Sequence, residues 1–230
     1  ITLLNQKILV SHTNVQNYYE NIEIISHEII ILDNKKIKIL KINFEYDNKL
    51  FNSHAYIYEK DIDELSCNKS FNSAVIIPGS GNNQSTAILN EEKDNYHFGI
   101  LNLFKYEKNN IFIFIKPNED SLAWHNNNNK VNKNYIYSYQ LNNMGSYSLS
   151  YLLQSMALTK YLKNCSDKIY IAGLSQGGFA TLINAIQSKP NIAYVASGYS
   201  MYFNDIYPAN LEQIIDPSRY IFILFKKDFF

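Results

Sequence analysis

Apolar residues change their rhythm near residue 70, and that change separates two kinds of predicted element. In 40–46, Leu40, Ile42, Phe44 and Tyr46 alternate with Lys41, Asn43 and Glu45. A period of two puts the apolar set on one face of a strand, the pattern of an antiparallel sheet half open to water. Asp47-Asn48 supplies turn chemistry, and 51–58 is the returning strand. Residues 1–35 have β character without a clear pattern. Farther on, the apolar residues come in unbroken runs at 74–77, 111–115, 168–172, 192–196 and 219–225. Short runs without alternation suit strands covered on both faces, as in a parallel sheet.

Between these runs the period becomes helical. Leu149, Leu152, Leu153, Met156 and Leu162 share one face of a helix over 146–163. A second helix spans 176–188 and stops before Pro190. Strand–helix–strand alternation after an antiparallel start predicts an α/β three-layer sandwich. Its central sheet is mostly parallel and carries an antiparallel N-terminal hairpin. No repeat or linker interrupts the chain, which reads as one domain over 1–230.

Composition narrows the function without choosing it. With 46% hydrophobic and 18% charged residues, the 230-residue chain can bury a large core. Its 21 basic and 21 acidic residues cancel, leaving no electrostatic footprint for nucleic acid or an anionic membrane. A spanning helix needs about 20 apolar residues, and every apolar run here is strand-sized, so no transmembrane segment is expected. Cys67 and Cys165 allow at most one disulfide and read as two ordinary thiols. There is neither H-E-x-x-H nor G-x-x-x-x-G-K-[ST], so no metal or cofactor is expected. Lysine far outnumbers arginine, and Asn, Ile and Tyr abound, which reflects an AT-rich coding bias; the asparagines of 126–129 form a polar loop. The chain begins with Ile1 and ends at Phe229-Phe230 inside an apolar segment, so its natural N-terminus and its last elements are expected beyond both ends.

The candidate chemistry sits between the third apolar run and the second helix. Gly173-Leu174-Ser175-Gln176-Gly177 matches G-x-S-x-G, the nucleophile elbow. A strand that turns into a helix within a few residues strains the apex and crowds the positions two away. Glycines there remove side chains that have no room, and the serine hydroxyl stands above the sheet edge at a helix N-terminus. The N–H of Gln176 is one donor for an oxyanion. The run ending in Pro78-Gly79-Ser80-Gly81 supplies the other, from the backbone of Ser80 with Gly81 next.

Together "GLSQGG", "IIPGSG" and "YIFILFKKD" resemble the α/β-hydrolase superfamily over about residues 35–230, nearest its esterase, dienelactone-hydrolase or prolyl-oligopeptidase-like branches. Pro78 stands where members often have a histidine. The resemblance implies a serine hydrolase acting on a small ester or acyl substrate through Ser175. It places the acid at Asp228, with Asp205 and Asp216 as alternatives, and a histidine after the acid. All five histidines, His12, His27, His54, His97 and His125, precede Ser175. His12, His27 and His54 read as surface or edge residues, and His97 as a helix residue. His125 follows a strand and lines the site with Glu119, Asp120 and Trp124. The base is therefore expected beyond Phe230. A binding module on the same fold, a peptidase and an acyltransferase are the competing readings; oligomeric state and compartment stay open.

Overall fold

A computed structural model describes residues 18–32, 37–58, 67, 69, 71–105, 109–119, 147–196 and 217–223. Eight strands among them form a single sheet: β1 (Glu23–Leu32), β2 (Ile37–Tyr46), β3 (Lys49–Ile57), β4 (Asn72–Ile77), β5 (Asn109–Ile115), β6 (Ile169–Leu174), β7 (Ile192–Ala196) and β8 (Tyr220–Ile223). Their order is β1-β2-β3-β5-β4-β6-β7-β8. β1, β2 and β3 are antiparallel, β3 meets β5 antiparallel, and all pairs from β5 to β8 are parallel. Among the described residues there are also three α-helices, α1 (Gln84–Leu89), α2 (Tyr147–Cys165) and α3 (Gln176–Ser188), and two short 3-10 helices, Ile100–Leu103 and Pro217–Arg219.

The expected hairpin is present, with Asp47 and Asn48 both at positive φ (53° and 56°). That geometry matches the strand twist of a two-residue hairpin loop. β1 adds a third antiparallel strand before it. Alternate residues of the parallel strands enter two separate cores. Val75, Ile77, Phe112 and Phe114 pack against Tyr151, Leu158 and Leu162 of α2 and Ala180 of α3. Ala74, Ile76, Ile111, Ile113 and Ile115 pack on the opposite face against Ile88, Leu101 and Phe104. This two-sided burial accounts for the unbroken apolar runs and gives three layers.

The two cysteines correct the expectation of free thiols. Cys67 and Cys165 form a disulfide across a sequence separation of 98. Around it the N-terminal ends of β4 and β6 are stitched together by Ser73 Oγ and Ser166 Oγ at 2.6 Å and by Asp167 N–H donating to Phe71 O at 2.9 Å. Sequence spacing carries no trace of this meeting.

Candidate active site

β4 lies between β5 and β6, and the chain crosses from one side of it to the other, so the C-terminal ends of these strands meet at a topological switch point, the place where open α/β sheets bind ligands. Ile77 pairs with Gly173, which brings the segments that follow β4 and β6 to one place on that edge. Ser175 alone separates β6 from α3. Its backbone stands at φ 58°, ψ −124°, a region costly for any residue with a Cβ. The N–H of Ser175 donates to Ala196 O at 3.0 Å, which anchors the apex to the end of β7.

The flanking glycines are there for space. A Cβ on Gly173 would overlap Gly177 O and Thr181 Oγ1, and one on Gly177 would overlap Ile77 O and lie 2.6 Å from Pro78 O. The turn is thus pressed directly against the segment after β4. A Cβ on Gly79 would likewise lie 2.7 Å from Leu174 O.

Segment 78–81 is held by side chains from behind. Tyr151 OH donates to Pro78 O at 2.7 Å, and Tyr96 OH donates to Ser80 O at 2.9 Å. Lys116 Nζ donates to Gly79 O and, at 2.6 Å, to Gly81 O. Gly79 N–H donates to His97 Nε2 at 2.7 Å. All four carbonyls are engaged, while among the described residues no acceptor takes the N–H of Ser80, Gly81 or Gln176.

His97 corrects its expected place on a helix. It lies in a turn that closes through Gly99 at φ 94°. Because Nε2 accepts from Gly79, the proton sits on Nδ1, which faces Gln84 Oε1 and Asn95 Oδ1, each at 3.1 Å. The ring is 1% exposed. Burial, with the Lys116 charge adding to it, lowers its pKa from 6.5 to about 4. His97 is therefore a neutral acceptor that holds the loop.

Lys116 (1% exposed) and Glu119 (0%) are buried behind the same loop, 4.0 Å apart. Burial pushes Lys116 down and Glu119 up, and each charge partly offsets the shift of the other. Glu119 accepts from the N–H and hydroxyl of Ser85, the second residue of α1. Glu119 is thus fully buried rather than set on an open pocket wall, and the residues expected beside it, Asp120, Trp124 and His125, lie outside the described residues. Lys116 was not singled out from sequence, though a lysine ending the buried run "IFIFI" was an available signal.

A pH prediction follows from His97. Between pH 6.5 and 4 the unfolded chain takes up a proton that the folded ring refuses, so stability falls as pH drops through that window. Glu119 has the opposite slope, because its raised pKa favours the protonated folded state. Comparison with His97→Gln isolates the histidine: the wild-type advantage in urea unfolding should shrink by about 3 kcal/mol from pH 7 to pH 4. A constant difference would show that His97 is not held neutral.

The remaining candidates are distributed as follows. Ser175 and Gln176 are half-buried, and Ser80 is exposed. Asp228, Asp205, Asp216, His12, His125, Asp120 and Trp124 lie outside the described residues. His54 is on β3, three strands from β6, and His27 on β1, five strands away. At about 4.8 Å per strand these are roughly 14 and 24 Å from the Ser175 strand.

A mostly parallel sheet covered on both faces, with a serine at the strand-to-helix apex over its C-terminal edge and a loop from an earlier strand beside it, is an α/β-hydrolase fold. No family model matches the chain, and no curated protein matches it in sequence. Solved structures similar to it include Est1E from Butyrivibrio proteoclasticus, at 15% identity and TM-score 0.34, covering 75% of this chain and 51% of that one. Brefeldin A esterase, a bacterial homologue of human hormone sensitive lipase, is 12% identical with TM-score 0.33 and coverages of 85% and 48%. A carbohydrate esterase family 15 glucuronoyl esterase from Caldicellulosiruptor kristjansonii is 10% identical with TM-score 0.41 and coverages of 86% and 51%. The chain spans about half the length of these three proteins. Among the described residues no helix is long and apolar enough to cross a membrane.

Proposed function

We propose that the chain is a serine hydrolase that cleaves a carboxylic ester, or a related acyl bond, through an acyl-enzyme on Ser175. The observation that carries this reading is the Ser175 backbone, held at φ 58° by close packing at Gly173 and Gly177 beside a loop whose carbonyls are engaged by side chains. Ser175 Oγ attacks the substrate carbonyl carbon, and its proton passes to a base. The N–H groups of Gln176 and Ser80 stabilise the oxyanion. The alcohol then leaves with the proton, and water releases the acid by the same steps reversed.

Asp228 is the proposed orienting acid. β8 runs parallel to β7, with Ile223 opposite Ala196, so the chain leaves β8 at the edge where Ser175 stands, five positions before Asp228. The base is not a described histidine, since His97 is committed to Gly79 and His27 and His54 are too far along the sheet. The reading assigns it to a histidine following Phe230, with His125 as the alternative within the chain.

A fluorophosphonate probe tests the assignment on the 230-residue chain and on any longer natural form. An adduct located on Ser175 by peptide mass spectrometry, and absent from Ser175→Ala, is the expected result. A folded longer form that forms no adduct would leave a non-catalytic binding module on this fold.

A further inference from the structure

We propose that Lys116 is a positioning residue for this reaction, locking the Gly79–Ser80 peptide so that the Ser80 N–H faces the Ser175 turn. The role rests on the proposed hydrolase reading, but the lock itself is a property of the structure and can be tested alone.

Strand order and the Lys116 bond together support this direction for the N–H. Lys116 directly follows β5, segment 78–81 follows β4, and Ser175 follows β6, with β4 in the middle. Lys116, the residue after β5, donates through Nζ to Gly79 O. In a trans peptide the C=O and the next N–H point in opposite directions, and the described backbone contains no cis bond. The Ser80 N–H is therefore turned away from the ammonium, and the proposed lock sets it on the β6 side, toward the serine. Were this peptide to flip, a carbonyl oxygen would face the place where negative charge develops.

Three features make the lock specific to this plane. The ammonium bonds both Gly79 O and Gly81 O, bracketing the Ser80 residue from two sides. His97 Nε2 holds the preceding N–H and Tyr96 the following carbonyl, so the neighbouring planes are fixed as well. A charge-assisted bond to Gly79 O also polarises that peptide and makes the Ser80 N–H a stronger donor. A neutral side chain of the same length could fill the volume without supplying either effect.

A lysine that merely satisfied buried carbonyls would predict a different outcome. Its loss would lower stability but leave each folded molecule with an unchanged loop and unchanged turnover. Lys116→Met keeps the length and removes the charge. Removing one oxyanion donor typically costs about 10²–10³ in kcat, so a misaligned donor is expected to cost about 10- to 100-fold in kcat with KM within about threefold. The ¹⁵N–¹H signals of Ser80 and Gly81 should be sharp in the unmodified protein and exchange-broadened in the variant, as the plane samples both orientations on the μs–ms scale. Glu119→Gln, which leaves Lys116 on its carbonyls, should keep the Ser80 signal sharp. If Lys116→Met does not fold, Lys116→Met/Glu119→Gln removes the buried carboxylate left without its counter-charge and should show the same broadening.

An unchanged Ser80 signal in the lysine variants, or exchange at Ser80 in the unmodified protein, would overturn the lock. Unchanged kcat with a broadened signal would overturn its catalytic role while leaving the hydrolase reading in place. If the unmodified protein hydrolyses no ester and takes no probe on Ser175, the hydrolase reading and the catalytic role fall together, and the amide signals still decide whether Lys116 holds the loop.

Discussion

Replacing Ser175 with glycine is expected to stabilise the fold and silence the chemistry in one step. At φ 58°, ψ −124° a side chain with a Cβ is strained by about 1–3 kcal/mol. Glycine adopts such conformations freely, at the cost of about 0.5–1 kcal/mol from a more flexible unfolded chain. The balance is a gain of about 1 kcal/mol, or about 2–4 °C in Tm for a chain of this size. On the proposed mechanism, loss of the Ser175 hydroxyl should lower kcat by about 10⁴-fold or more. Differential scanning calorimetry and a chromogenic ester assay on the same preparation read both effects. Ser175→Ala is the control, because it removes the hydroxyl but retains the strain. A glycine variant no more stable than the alanine one would mean that no strain is relieved at the apex. Activity surviving in either would remove Ser175 from the mechanism.

The second large effect is expected on reduction. A disulfide between Cys67 and Cys165 restricts a long segment of the unfolded chain, and in the chain-entropy account such a closure is worth about 4–5 kcal/mol, with native bridges typically costing 2–5 to remove. Urea unfolding with and without a phosphine reductant should differ by about 3–4 kcal/mol. The Cys67→Ser/Cys165→Ala variant should match the reduced protein and be insensitive to reductant. Since the bridge sits by the N-terminal ends of β4 and β6, opposite the Ser175 edge, kcat of the folded protein should not change. Equal stability in both states would mean the pair does not close in solution.

The parts of the molecule set by local rules were legible in the sequence. Asp47-Asn48 between two alternating runs located the hairpin, and the glycines around Ser175 located the strand-to-helix apex, with α3 starting at Gln176 and ending at Ser188 as expected. β1 was less distinct because "EIISHEIIIL" has neither a clean alternation nor an unbroken run, as suits an edge strand with a bulge between Ile24 and Ser26. His97 reads as helical because "DNYHFGIL" has apolar residues at helical spacing, whereas Gly99 at positive φ turns the chain. Lys116 and the disulfide depend on residues brought together from 37 and 98 positions apart. The pairings themselves are not contained in any window along the chain, although a lysine closing the buried run "IFIFI" marks one of the partners.

The division of β5 between two cores has a further consequence for how the sheet finds its alignment. Ile111, Ile113 and Ile115 face one core, and Phe112 and Phe114 the other. A slip of one residue exchanges the faces of every side chain in a strand, which here would push aromatic rings into aliphatic-sized gaps and leave voids opposite. A uniformly aliphatic strand would pack almost equally well in either register. Unequal side-chain size on the two faces therefore works as an alignment key, selecting one pairing from several with the same backbone hydrogen bonds.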